Sequence, residues 1–333
     1  MKKRSPVCSE TKGSRIFCFR KDIGDSLLRA LIAVGLLVIT PQGQADSSSP
    51  RLAGYYDLFM AICDDTAYEW SGNGKPEHAL ADVIQVGVGR STRYALKRTG
   101  ELVGWTQNAQ RALSLATQVR SFYAGRTGVF IIRHDRSLWH IDTEHLLGLS
   151  ESLSAEPKRI ADNVAAAAVG DSADYYATVA GSLHVKGRAQ RGQYGDGKLA
   201  STETFVITID NVAQISAHTG HALIRKLNGE VWGTGGNYYG PLSHHGFGDK
   251  AIAWGRIFSE ARSIATGASH SVAIRQDRTL WIWGANAGLD AKKVMTDVDA
   301  IAAGSAFTIA LGKDALWQWL PGDTPTRVMA CAA

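Results

Sequence analysis

The chain has 333 residues, of which 45% are hydrophobic and 20% charged, a composition that excludes a mainly disordered chain and a collagen-like one. Its 35 glycines against 8 prolines suit a turn-rich all-β protein better than a helical bundle. The formal net charge of +5 points to a polyanionic partner only until the charges are located along the chain.

Residues 1–29 carry eight Lys or Arg against three acids, and the apolar run Ala30–Ile39 follows, with Gly43 and Ala45 at small-residue positions. A basic stretch, a short apolar stretch and small residues before Asp46 describe a secretory signal peptide over residues 1–45. The apolar run is too short to span a bilayer. Without that leader, residues 46–333 hold 28 basic and 28 acidic side chains. The surface is then neutral overall and poorly suited to nucleic acid, which is bound through phosphate neutralisation. The expected destination is the periplasm or the medium. Cys63 and Cys331 remain near the two ends of residues 46–333, and an even pair in an exported chain is a disulfide candidate.

A single spacing rule organises residues 46–333. In Ile264–Asn286 a Gly (Gly267) is followed thirteen residues later by Leu280-Trp281-Ile-Trp283-Gly284, and 49 residues earlier His221, Trp232 and Asn237 fall on His270, Trp281 and Asn286. The same spacing links Gly54 to Ala67, Gly89 to Leu102, Gly125 to Leu138, Gly170 to Leu183 and, one residue short, Gly304 to Leu316-Trp317. These make seven units with anchors at 67, 102, 138, 183, 231, 280 and 316. Each unit reads as a hairpin. A short strand runs to a turn such as Asn228-Gly229, for which a type I′ geometry is expected. A Leu-Trp-x-Trp strand comes next, with Trp281 and Trp283 on one face. Units of 35–50 residues with several short strands mark a β-propeller. The expected fold is therefore an all-β, seven-bladed β-propeller forming a single domain over 46–333. A ring sets its first and last units side by side, so Cys63 and Cys331 are expected to form a latch, with the tail from Pro325 crossing to the opening blade.

The residues of the two clearest units, Gly267–Asn286 and His218–Asn237, resemble the regulator of chromosome condensation repeat, and the resemblance extends over about residues 50–329. It implies a seven-bladed propeller and, by analogy with the exchange factor that founded the family, a secreted effector acting on a small GTPase as an alternative function.

No nucleophile elbow, phosphate loop, HExxH or dinucleotide fingerprint occurs, so no enzyme, cofactor or metal is expected. Asp135 and Asp277 stand before Leu-Trp strands as turn residues rather than sialidase boxes. His221 and His270 read as hydrogen-bonding repeat residues. What remains is a binding module, expected to be a monomer that recognises another protein. A propeller enzyme or a carbohydrate-binding protein is a further alternative. The long connections Gly187–Asn211 and Gly235–Trp254 come after the Trp strands of adjacent units and are expected to project side by side from one face. Tyr194, Tyr238, Tyr239, His244, His245 and Phe247 supply their aromatic and amphipathic contact area.

Overall fold

The computed structural model describes residues 51–331 except 108, 110, 127, 144–156 and 244–247. Among the described residues, 28 strands form seven four-stranded antiparallel sheets, each built from four consecutive strands. The first strands, Leu52–Tyr55, Val83–Val88, Val119–Ala124, Val164–Val169, Val212–Ala217, Ala261–Thr266 and Val298–Ala303, line one central channel of about 560 Å³. The chain is a seven-bladed β-propeller.

The anchors at 67, 102, 138, 183, 231, 280 and 316 all lie in third strands, from Thr66–Ser71 in blade 1 to Ala315–Trp319 in blade 7. They occupy one register, because Ala67 pairs Ile62, Leu102 pairs Leu96, Leu280 pairs Ile274 and Leu316 pairs Leu311. Second strands are buried on both faces, as the wholly buried Leu58–Cys63 illustrates. Such a strand is sandwiched between neighbouring sheets and shows no in–out alternation. The core is divided accordingly. Phe59, Trp70, Ile309, Leu311 and Leu316 pack between blades 1 and 7, while Leu223, Phe258, Ile264 and Trp283 pack between blades 5 and 6. Trp281 and Trp283 lie against that same cluster, on the expected common face.

The turn at Asn228-Gly229 differs from expectation. Gly229 has φ 82°, but Asn228 is not left-handed. The Gly229 amide donates to Lys226 O at 3.0 Å and the Lys226 amide to Glu230 O at 2.8 Å. This is a three-residue loop, a type I turn closed by a left-handed residue, whereas type I′ needs a two-residue loop. Blades 2 to 6 share it, with Gly100, Arg136, Gly181, Gly229 and Arg278 at the left-handed position. The two-residue turn with two left-handed residues is in blade 1, at Asp64 and Asp65. Blade 1 is thus one residue shorter than the thirteen-residue spacing assumes. Gly54 lies inside a first strand, and Tyr55, paired with Leu58, holds the place of the repeat glycine.

Those glycines set the blade spacing. A Cβ on Gly89 would sit 2.8 Å from Gly125 O, on Gly170 3.1 Å from His218 O, on Gly267 2.7 Å from Gly304 O, and on Gly304 2.2 Å from Tyr56 O. Each meets the backbone of the next blade, and the last meets the first. On Gly125 a Cβ would overlap Val169 of the next blade.

Ring closure does not use a strand borrowed from another blade. Thr326–Ala330 is the fourth strand of blade 7 itself, so the tail does not cross; only Cys331 reaches Cys63, to which it is bonded with Cα atoms 5.3 Å apart. Trp70 Nε1 donates to Gln318 Oε1 at 2.6 Å, and Gln318 Nε2 donates to Gly72 O at 2.7 Å. The seam is held by this covalent bond, by these side chains and by the Ser305 amide of blade 7, which donates to Tyr56 O of blade 1 at 2.7 Å.

Candidate functional site

Two kinds of connection emerge on one face of the ring, the first-to-second turns and the third-to-fourth loops. The short second-to-third turns and the interblade links lie on the other. The long loops of blades 4 and 5 are therefore on the same face, and they touch. The Gly197 amide donates to Ile252 O at 2.8 Å, Asp196 bridges Ala253, and Thr234 Oγ1 donates to Gly192 O at 2.7 Å.

The structure separates the residues expected to make contact. Tyr194 is 1% exposed; its hydroxyl donates to Gly187 O at 2.6 Å and accepts from the Thr202 amide at 2.9 Å. Gly195 beside it leaves room for Trp254. Tyr194 is a core residue of its loop and offers no contact surface, a correction with a plain cause. The loop closes back on its own blade, so the large side chain at its centre turns inward. Tyr238 and Tyr239 are 75% and 60% exposed and meet edge to face at 5.0 Å. Their turn is held from beneath. Asn237 Nδ2 donates to Gly248 O at 3.0 Å, Asn237 Oδ1 accepts the Leu242 amide at 2.9 Å, and Pro241 O accepts both Trp283 Nε1 and Ser271 Oγ. His244, His245 and Phe247 lie outside the described residues.

The histidines and tryptophans of the repeat serve the ring. His221 Nε2 bonds Ser271 Oγ at 3.0 Å, and His270 Nε2 bonds Thr308 Oγ1 at 2.9 Å, so blade 5 is tied to blade 6 and blade 6 to blade 7. Burial, aided by neighbouring histidine charge, pushes both imidazoles down to about 3. Trp283 is fully buried. Trp232 and Trp281 are half-buried beneath Lys226 and Arg275, at 4.0 and 4.3 Å from the ring centres; Trp317 is half-buried beside the core between blades 6 and 7. Asp135 and Asp277 are turn residues. Each accepts from the Ser137 or Thr279 hydroxyl two residues on, which holds the carboxyl below its usual range, and that hydroxyl in turn accepts from Trp139 Nε1 or Trp281 Nε1.

The axial mouth on this face carries residues that the repeat spacing missed. At the rim position of the repeat glycine stand Gly89, Gly125, Gly170, Gly267 and Gly304, but Tyr55 in blade 1 and His218 in blade 5. These two departures stack on one another across the ring, with centroids 5.2 Å apart. The Tyr55 hydroxyl donates to the Asp171 carboxylate of blade 4. Burial and that bond raise the phenol far above its usual range, while burial lowers His218. Tyr56 lies over Tyr55, with φ 52° and 43% exposure. The signal lay in the one-residue shortening of the blade 1 turn, which shifts Tyr55 rather than Gly54 onto the rim. Deeper in the channel, Gln85 and Gln214 each clamp the first strand of the next blade, giving to a carbonyl and receiving from an amide of Phe122 and Ile264 respectively. Among the described residues no group of His, Cys, Asp or Glu is placed to hold a metal ion, and no helix is long and apolar enough to cross a membrane.

Residues 261–287 match the family model of the regulator of chromosome condensation (RCC1) repeat, the segment that contains Gly267, His270, Trp281 and Trp283. No curated protein sequence matches the chain. Among solved structures it is similar to Prp20p of Saccharomyces cerevisiae at 15% identity and TM-score 0.66, covering 78% of this chain and 81% of that one. It is also similar to human WBSCR16 at 15% identity and TM-score 0.66, covering 77% and 84%. The CRINKLY WD40 ectodomain of the Arabidopsis thaliana receptor kinase ACR4 is 14% identical with a TM-score of 0.56, covering 84% and 98%. The chain is a seven-bladed propeller that carries the regulator of chromosome condensation repeat.

Proposed function

We propose that this protein is an exported binding module that holds a partner protein against the face bearing its long loops. The observation that carries the reading is the Tyr238–Tyr239 pair, two largely exposed aromatic rings on a turn fixed by Asn237 and Pro241. Rigid, exposed aromatic side chains are the residue type that anchors protein interfaces, because they bury large area at little entropic cost. The similarity to Prp20p, which binds Gsp1p and histones, supports protein recognition as a use of this fold. Export is supported by the tripartite pattern of residues 1–45 and by the Cys63–Cys331 bond, a feature of oxidising compartments. The test is a pull-down from envelope and culture fractions, with the wild type and the double variant Tyr238→Ala, Tyr239→Ala compared. The expected result is loss of the captured partner with an unchanged melting temperature; equal capture by both moves the site elsewhere. An exchange-factor-like activity on a small GTPase is the second reading, favoured by that same similarity, and a nucleotide-exchange assay separates it from simple binding.

A further inference from the structure

The axial mouth holds a feature that the tyrosine pair does not explain. Ion pairs among the described residues engage several arginines, including Arg93 to Glu69, Arg98 to Asp65, Arg256 to Glu230, Arg275 to Glu260 and Arg278 to Asp299. None of these pairs uses Arg90, Arg126, Arg188 or Arg191. All four are exposed, and all four belong to the loop face. Arg90 and Arg126 directly follow the rim glycines Gly89 and Gly125 of blades 2 and 3. Arg126 is close enough to Tyr55 to act on its hydroxyl electrostatically. Arg191 crosses from blade 4 to blade 5 and lies over Gly220 and Gly236, its Nη1 3.5 Å from where a Cβ of Gly220 would sit. The Arg188 amide is anchored on Ser172 O, one residue beyond Asp171. Of the acids in these rim turns, Asp57 and Asp171, the latter already receives the Tyr55 hydroxyl.

The floor between them is the stacked Tyr55–His218 pair, which spans the mouth, and the exposed Tyr56 above it. Tyr56 keeps a left-handed backbone that a non-glycine residue adopts at a cost, a kind of strain that concentrates at working sites. Guanidinium groups around an aromatic floor suit carboxylates, which they bind through paired N–H donors.

We propose that the axial mouth of the loop face is a docking site for an acidic segment of a partner protein, its carboxylates pairing with Arg90, Arg126 and Arg191 above Tyr56 and His218. This rests on the protein-binding reading and names the chemistry of the partner. A protein segment is favoured over nucleic acid because the basic spot is confined to the axis. Asp57 shares the blade 1 rim turn with Tyr56, Asp196 and Asp249 stand on the same face in the third-to-fourth loops of blades 4 and 5, and residues 46–333 carry no excess positive charge. A phosphate backbone running on past the spot meets those acids, while a short cluster of Glu or Asp side chains ends within it.

The experiment measures binding of fluorescein-labelled poly-L-glutamate to the full protein by anisotropy, at low and high salt, with poly-L-lysine and a single-stranded oligonucleotide as comparison probes. The expected result is saturable poly-L-glutamate binding that weakens with salt. The triple variant Arg90→Gln, Arg126→Gln, Arg191→Gln loses about tenfold or more in affinity. The corresponding triple Lys variant, which keeps the charges but not the paired donors, falls between the two, and the Tyr238→Ala, Tyr239→Ala variant is unaffected. Thermal melting establishes that the variants are folded. The proposal is overturned if the wild type does not bind poly-L-glutamate, if the triple Gln variant binds equally, or if the oligonucleotide binds more tightly than poly-L-glutamate. If poly-L-glutamate fails while the tyrosine variant still loses its captured partner, only the acidic-segment proposal falls and the protein-binding reading stands.

Discussion

Gly267 shows what one missing Cβ does in this ring. The atom would lie 2.2 Å from the His270 ring and 2.7 Å from Gly304 O of the next blade. His270 cannot retreat without losing its bond to Thr308, and the carbonyl is backbone. Gly267→Ala is therefore expected to destabilise by roughly 2 kcal/mol or more, as overpacking of a close-packed core does. A melting temperature within a degree or so of wild type would contradict it. Gly229 is needed for a different reason. Its Cβ position is open enough, with Ala261 O at 3.4 Å, but its φ is 82°. Gly229→Val should cost ~1 kcal/mol or more, because a β-branched residue is strained there. Chemical denaturation reads both, and the order is itself a check: the packing glycine should matter more than the turn glycine.

At the scale of the elements, the second strands of blades 5 and 6 begin with His221 and His270, and both are held neutral. Their pKa values fall from the ordinary 6.5 to about 3 on folding. Below pH 6.5 the unfolded chain binds protons that the folded blades refuse, so stability is complete above that pH and is lost as pH falls toward 3. Asp174 works against this. Burial raises it from 3.8 to about 6, so in the window from pH 6 to 4 the folded state binds one proton that the unfolded state does not. Two protons against one leave a net loss of roughly 1.4 kcal/mol per pH unit in that window, to which His218, His140 and His184, also lowered by burial, add in the same direction. The melting temperature is expected to drop steadily from pH 6 to pH 4. A flat profile, or imidazole resonances of His221 and His270 that titrate near 6.5, would show that burial does not hold these rings neutral.

For the whole molecule the weak point is the seam between blades 7 and 1. The other six junctions are continuous in the chain; this one depends on the Cys63–Cys331 bond, on Trp70 with Gln318, on the Ser305 amide bonded to Tyr56 O, and on the apolar cluster around Phe59 and Leu316. The bond closes a sequence separation of 268 residues, which in the chain-entropy model restricts the unfolded state by ~5 kcal/mol, and removal of native disulfides commonly costs ~2–5 kcal/mol. Cys331→Ser, or full reduction, should lower the melting temperature while leaving the far-ultraviolet dichroism of the folded sheet unchanged. Two reactive thiols in the denatured, unreduced protein would rule the latch out.

The repeat period was legible from sequence because each third strand buries an apolar residue at the same register, and Trp is rare enough for its recurrence at Trp232, Trp281, Trp283 and Trp317 to stand out. Seven such units imply closure, and closure brings Cys63 near Cys331 whatever the details of packing. The sequence alone therefore determined the fold, the strand anchors and the latch. Tyr238 and Tyr239, expected as contact residues of a glycine-rich loop, are exposed. The sequence did not determine which way Tyr194 turns, because that depends on the loop folding back beneath Thr202 and on Trp254 arriving from another blade. Nor did it disclose the Tyr55–His218 stack or the arginines around it. Those residues are 163 positions apart in the chain, sit where other blades carry glycine, and meet only because the ring sets blades 1 and 5 across one axis. Local pattern is written along the chain, but contact across a closed ring exists only once the ring has closed.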